Sequence, residues 1–346
     1  MATTIEDVAR EAGVSIATVS RYLNGPDGIV AEDTGDRVRA VVERLGYVPN
    51  SVARSLKTGR TRLIGVLLAN IAHPYWSVVL SGVEEACQRA GYGAIVSSAA
   101  DRADVENSYL RAFLRQRVDG ILLNPATAAP STVEAWARLT VPVVTIDRTL
   151  PGLPFGLVAM DNALGTRLGV EHLLGLGHRR IGFVSWRPDG LSNREERLAG
   201  YQDALADAGV EADGELIRFA ADGWSDGVDQ TLALLAERDP PSAIVSASSM
   251  LNLQVLAAVK RRGLRVPDDV SVVGYDDSPW DPLLDPPLTT VATPAKGLGW
   301  AAAERLIRAI EGDHPDDAGE VRLVPELVVR HSTSARRRGG ILPPSP

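Results

Sequence analysis

The chain has 346 residues, 45% of them hydrophobic and 23% charged, with a formal net charge of −8. That length divides into two or three globular domains, and apolar runs such as Leu63–Ala69 are far too short to span a membrane. The single cysteine, Cys87, excludes an intrachain disulfide, and the charged, amphipathic stretch from Met1 to Arg10 is not a secretory signal, so a reducing cytoplasmic setting is expected.

The first helical pattern starts at Thr4-x-x-Asp7, the spacing of a capping box. Ile5, Val8, Ala9 and Ala12 follow on one helical face. Gly13 stands where a left-handed residue ends a helix, Val14 anchors the turn, and Ser15 caps the next helix. In that second helix Val19 and Leu23 point inward, leaving Ile16, Ala17, Ser20 and Arg21 outward. Two short helices around a tight turn form the unit that lays its second helix in a DNA major groove. A third helix carries Val38, Val41, Val42 and Leu45 on its core face. Gly35 inside it costs about 1 kcal/mol relative to Ala, with no offset visible in the local sequence.

The whole-chain charge argues against nucleic acid, but it is unevenly spread. Residues 1–62 hold nine basic against eight acidic residues, so the remainder carries −9. Residues 51–62 hold four basic and no acidic ones, a local stripe suited to DNA at one end of an acidic protein.

Beyond residue 62, apolar strand runs alternate with helical patterns. The strand candidates are Leu63–Ala69, Gly93–Ser97, Gly120–Asn124, Pro142–Asp147, Gly156–Met160, Arg180–Ser185, Ala243–Ser246 and Ser271–Tyr275. Repeated strand–helix units imply parallel sheets with right-handed crossovers. A break near Leu150-Pro151-Gly152-Leu153-Pro154 divides the series into two doubly wound subdomains facing a cleft. The tail from 334 to 346 reads as disordered and has no heptad pattern, so no coiled-coil tetramer is expected.

The order of residues from Ile5 to Asn24 resembles the headpiece signature of the lactose-repressor/galactose-repressor (LacI/GalR) family. The resemblance continues at Leu45–Asn50, Ala53–Leu56, Gly169–Leu173, Leu176–Gly182, Val270–Asp277 and Pro287–Val291, covering nearly the whole chain in order. It implies a small all-α helix-turn-helix headpiece over 1–48 and a hinge helix or linker over 49–61. Over 62–333 it implies an α/β periplasmic-binding-protein-like sensor of two doubly wound parallel-sheet subdomains. The implied protein is a DNA-binding transcriptional repressor, cytoplasmic and nucleoid-associated when bound. It forms a homodimer on a pseudo-palindromic operator and needs no cofactor and no metal.

At matching positions the resemblance places Ile16, Ala17 and Arg21 at base edges, and Ser15, Thr18, Ser20 and Asn24 mostly at phosphates; Thr4 and Asn50 complete the DNA-binding set. Arg is the commonest reader of guanine, while Ile16 and Ala17 offer apolar contact to a thymine methyl. Segment 51–57 is too short to be a stable isolated helix. The family implies a hinge helix that folds when two subunits meet on the minor groove, with Leu56 as a wedge, Ala53 beside it, and Arg54, Lys57 and Arg60 drawn to phosphate.

In open parallel sheets ligands bind beyond the carboxyl ends of strands. Here those ends supply Asn70, Ser98, Asn124, Asp147, Ser185, Ser246 and Asp276. Tyr75, Trp76, Trp186, Trp224 and Trp280 lie in neighbouring loops and suit the C–H faces of a polyhydroxylated ring. The resemblance assigns effector contacts to Asp147, Arg197, Trp224 and Asp276, and a hydrogen-bonding position to Asn193. The chain departs from many members at Ser248-Ser249, where they carry an Asn-Asp pair, so effector identity does not transfer. No Walker-type phosphate loop or acid/base pair with a nucleophile is present, and His172 and His178 do not share a metal. A transport-type sugar-binding protein is the alternative reading; the headpiece and the absent signal peptide argue against it.

Overall fold

A computed structural model describes residues 3–24, 29–48, 59–129, 133–134, 136–150, 152–221, 225–312 and 319–336. Asn50, Ala53, Arg54, Leu56, Lys57, Trp224, the side chain of Asn24 and the tail from 337 lie outside the described residues. The chain forms two compact units, Met1–Thr61 and Arg62–Pro346.

In the first unit, helix α1 (Ile5–Ala12) opens with the expected capping box: Asp7 N–H donates to Thr4 Oγ1 at 3.3 Å, and Thr4 N–H donates to Asp7 Oδ2 at 3.0 Å. Gly13 ends it at φ 66°. Ser15 Oγ accepts from Thr18 N–H at 3.1 Å and starts α2 (Ile16–Asn24). Helix α3 (Glu32–Leu45) ends at Gly46, also left-handed. Val8, Ala9, Ala12, Val19, Val38 and Val41 form the core. Gly35 is explained by Tyr22: the ring lies against it, and a Cβ there would stand 3.2 Å from Tyr22 Cε2. The compensation missing from the local sequence is thus tertiary, and Arg39 Nε donates to the same Tyr22 hydroxyl at 3.0 Å.

The second unit contains two six-stranded sheets of matching order. The first runs β11 (Glu320–Leu323), β5 (Gly156–Met160), β4 (Val143–Ile146), β3 (Gly120–Leu123), β1 (Leu63–Leu68) and β2 (Gly93–Ser98), all parallel. The second runs β12 (Glu326–Val328), β10 (Thr289–Ala292), β9 (Ser271–Tyr275), β8 (Ala243–Ser246), β6 (Ile181–Trp186) and β7 (Ile217–Ala220); only β12 is antiparallel. The eight apolar runs read from sequence are all strands. The four missed ones are short and mixed in polarity, such as the Glu320–Leu323 edge strand, so no apolar run betrays them.

The first sheet is covered by α4 (Tyr75–Ala90), α5 (Ala103–Gln116) and α10 (Ala295–Glu311). The second is covered by α6 (Asn162–Gly175), α7 (Ser192–Asp207), α8 (Asp226–Leu234) and α9 (Ser249–Arg261). Helices α4 and α10 touch through glycine: a Cβ on Gly82 would collide with the Lys296 carbonyl, and one on Gly299 with the Val79 carbonyl.

Two sequence expectations need correction. The break near 150–154 falls within the first subdomain rather than between the two, because β4 before it and β5 beyond it belong to the first sheet. The chain crosses after β5, after β10 and between β11 and β12. At the first crossing Asp161 simply caps α6, accepting from Leu164 N–H at 2.9 Å, so no linker composition marks it. The tail is also tied down further than expected: Ser334 N–H donates to Ser271 Oγ at 3.2 Å, and Arg336 N–H to Leu176 O at 2.9 Å. His172 and His178 serve this segment, with Thr333 Oγ1 2.9 Å from His172 Nε2 and Ser334 O 3.0 Å from His178 Nε2.

Candidate functional site

Two surfaces collect the residues singled out by sequence. On the first unit, Ile16, Ala17 and Arg21 are exposed on α2 while Val19 is buried beneath them. Ser15 and Thr18 sit at the helix start with hydroxyls 2.9 Å apart, and Ser20 is half-buried. Several other basic side chains are already paired: Arg10 with Asp7, Arg44 with Glu11, and Arg39 with Asp36 at 3.2 Å. The α2 face therefore offers apolar groups, hydroxyls and the Arg21 guanidinium together.

The second surface is the cleft between the two subdomains of the larger unit. The strands point their carboxyl ends at it, which places helix N-termini at its rim. Asn70, Tyr75, Trp76, Asp147, Trp186, Asn193, Arg197, Ser248 and Asp276 line it, as expected from sequence. Across it, Asn193 Nδ2 donates to Asp147 Oδ2 at 2.7 Å, and His73 meets Trp186 edge-to-face with centroids 6.3 Å apart. Asp147 and Asp276 adopt left-handed backbone, at φ 66° and 72°, turning their carboxylates inward at the strand ends. Asp276 Oδ2 accepts from the Ser249 amide at 3.1 Å, capping α9. The Ser248-Ser249 departure thus still contributes to the wall.

Arg197 is fixed from three sides. Its Nε donates to Asn162 Oδ1 at 2.8 Å, its NH1 to Ala247 O at 2.6 Å, and its guanidinium lies 4.3 Å from the Tyr275 ring centre. Burial opposes its charge, but Tyr275, Asp276 and Asp147 outweigh burial and raise its pKa. Burial, with Asp147 and Asp276 adding to it, drives the Tyr75 phenol well above its ordinary range, so it stays protonated. Burial also lowers the His73 pKa, keeping that ring neutral.

Two expected contacts fall elsewhere. Asn124 is fully buried and braces the sheet, donating to Ile146 O at 3.0 Å and accepting from Ala69 N–H at 3.3 Å. A strand-end position brought it close, but the sheet's own backbone uses both of its polar atoms. Trp280 lines an adjacent pocket with Pro74, Val78, Pro279 and Pro294 rather than the main cleft. Sequence reasoning missed His73, Arg148, Arg194 and Ala247, and took Ser249 only as a departure from the family pattern. Arg148, Arg194 and Ser249 each directly follow a residue singled out, so counting one position further along each loop would have found them.

Among the described residues, no group of three or more His, Cys, Asp or Glu could hold a metal, and no helix is long and apolar enough to cross a membrane. Cys87 is buried, and burial pushes its thiol up to about 11, so it is no nucleophile.

Residues 4–50 match the family model for bacterial regulatory proteins, lacI family, and residues 170–333 match a periplasmic binding protein-like domain. The chain is 36% identical to the HTH-type transcriptional regulator PtxS of Pseudomonas plecoglossicida, over 96% of each chain. Among solved structures, the Lac repressor dimer bound to operator and the anti-inducer ONPF superposes with a TM-score of 0.84 at 31% identity, covering 97% of this chain and 100% of that one. A complex of the transcriptional regulator CelR with cellobiose gives 0.73 at 32% identity, covering 95% and 99%.

Proposed function

The chain belongs to the lacI family of bacterial regulatory proteins and is a transcriptional regulator, and on that premise we propose that it is a homodimeric repressor of a pseudo-palindromic operator, governed by a sugar-like effector in the cleft. One observation carries the effector half. The cleft walls come from two subdomains joined by three crossing segments and meet through polar and aromatic side chains such as Asp147–Asn193 and His73–Trp186. A ligand that prefers one spacing of those walls shifts the balance between two subdomain angles, and a coupling of about 1–3 kcal/mol suffices.

On the DNA side, Arg21 reads a guanine and Ile16 and Ala17 meet thymine methyls, while Ser15, Thr18 and Ser20 hold phosphates. Segment 51–57 forms the hinge, with Leu56 as the minor-groove wedge. For dimerisation, β2 is the edge strand of its sheet, and its exposed Val96 lines a groove with Leu80, Val83, Cys87 and Tyr92. An exposed apolar edge of this kind is a natural site for a second copy.

The test is a gel shift on DNA upstream of the chain's own coding region, with protein shown dimeric by sedimentation. Retardation that competes poorly with unrelated DNA is expected. No shift at low salt with folded, dimeric protein would sink the proposal.

A further inference from the structure

The ring of Tyr22 lies so close to Gly35 that a Cβ there would stand 3.2 and 3.4 Å from two of its carbons. Glycine inside a helix lowers its propensity, and a pair of aliphatic side chains would fill the same space without that penalty. What Gly35 permits is reach. The ring crosses α3 far enough for its hydroxyl to meet Arg39 on the next turn, where Arg39 Nε donates to it at 3.0 Å. Tyr22 is half-buried and Arg39 is exposed, so the hydroxyl and the guanidinium emerge together at the surface of the headpiece.

Their place on the helices points at the DNA backbone, given the operator reading proposed above. At 3.6 residues per turn, Tyr22 follows Thr18 one turn along the same edge of α2. That edge begins with Ser15 and Thr18, whose hydroxyls lie 2.9 Å apart, and it flanks the exposed Ile16, Ala17 and Arg21. A duplex that offers base edges to those three residues runs its phosphates along the flank. The chemistry agrees. Having accepted from Arg39, the phenol keeps its own O–H to donate. One terminal nitrogen of Arg39 holds Asp36 at 3.2 Å, and the other meets no acceptor among the described residues. The Arg39 and Asp36 side chains are 60% and 59% exposed, and an ion pair this open to water is weak, so a phosphate can take Asp36's place on the guanidinium. Asp36 repels a phosphate here, as do Glu32 and Asp33 in the first turn of α3, and Arg39 offsets them.

We propose that Tyr22 and Arg39 clamp one operator phosphate, the phenol O–H and the guanidinium donating to its two non-bridging oxygens. The contact reads no sequence. It strengthens binding to any duplex, while Ile16, Ala17 and Arg21 discriminate among sequences.

The experiment is anisotropy titration of the full-length chain across a range of salt concentrations. The duplexes are a pseudo-palindrome selected from DNA upstream of the coding region and an unrelated duplex of equal length. Arg39→Gln should flatten the slope of log affinity against log salt by about 1 and weaken both duplexes by about fivefold or more, leaving their ratio within about twofold of the parent's. Tyr22→Phe keeps the ring on Gly35, so the headpiece should melt as the parent does. It should weaken both duplexes by about fivefold with the salt slope unchanged. Because the two groups serve one phosphate, the double variant should lose less than the product of the single losses. Arg37→Gln removes the same charge from the opposite side of α3 and should weaken binding by less than about twofold.

An unchanged salt slope in Arg39→Gln overturns the clamp. So does an equal loss in Arg37→Gln, which makes the effect diffuse charge, and so does a loss confined to the operator, which makes these residues base readers. Multiplicative losses in the double variant overturn the shared phosphate. Each of those results leaves the operator reading standing, whereas a parent chain that binds neither duplex overturns both.

Discussion

Removing the Asp276 carboxylate separates two jobs that this residue performs. It caps α9 through the Ser249 amide at 3.1 Å, and it presents charge to the cleft from a left-handed backbone at φ 72°. Asp276→Ala loses the cap, worth about 0.5–2 kcal/mol, and places a residue less tolerant of left-handed backbone there, adding a few tenths. The sum, about 1–2 kcal/mol, lowers Tm by about 2–6 °C for a domain of this size. Asp276→Asn keeps both the capping oxygen and the tolerance for positive φ, so it should melt within about 1 °C of the parent. It still removes the charge, and a hydrogen bond to a charged group contributes about 1.5–3 kcal/mol, so ligand affinity should fall about tenfold to a hundredfold. Thermal melts and calorimetric titration with whichever sugar or sugar acid binds the parent give both readings. Operator binding without ligand should be unchanged in both variants. Equal destabilisation of the Asn and Ala variants refutes the capping argument, and parental ligand affinity in the Asn variant refutes the cleft role.

Three further perturbations probe other parts of the molecule. Arg21→Ala should weaken specific operator binding by about 1–3 kcal/mol and non-specific binding far less; equal losses, read by fluorescence anisotropy, argue against base reading. Gly35→Val should push into the Tyr22 ring and destabilise the headpiece by about 1–3 kcal/mol despite its better helix propensity, seen as faster hydrogen exchange across residues 5–45; unchanged exchange refutes the packing explanation. Asp281 is fully buried, and burial raises its pKa to about 6 from an ordinary 3.8. A carboxyl raised in the fold costs stability once ionised, so the penalty is absent below about pH 4 and complete above about pH 6. Asp281→Asn keeps an acceptor for the Ser278 amide and should gain about 1–3 kcal/mol at pH 8 but little at pH 4 in denaturant titrations; a gain independent of pH contradicts the titration.

The headpiece was legible because each of its features is local. Thr4, Asp7, Gly13 and Ser15 act within four residues of their partners, so spacing alone reveals them. The central strands were legible because burial on both faces demands unbroken apolar runs such as Ile121-Leu122-Leu123. What escaped depends on residues far apart in sequence. Gly35 makes sense only with Tyr22 against it. The crossing at Asp161 looks like any helix cap, whereas Pro151-Gly152 reads as a linker although the strands before and after it, β4 and β5, belong to one sheet. In the cleft, strand ends pointed to the correct loops, but whether a polar residue faces ligand or braces the sheet depends on its neighbours. Asn124 and Asp147 end adjacent strands of one sheet, and only Asp147 turns toward the opposite subdomain.

The central claim, that a dimer of this chain reads a two-fold DNA site, is tested most directly by anisotropy titration at about 150 mM salt. The duplexes are a pseudo-palindrome selected from DNA upstream of the coding region and the same duplex with one half-site scrambled. Two chains per intact site are predicted, with a loss of at least about a hundredfold on scrambling one half. One chain per duplex, or equal affinity for both duplexes, would contradict the account.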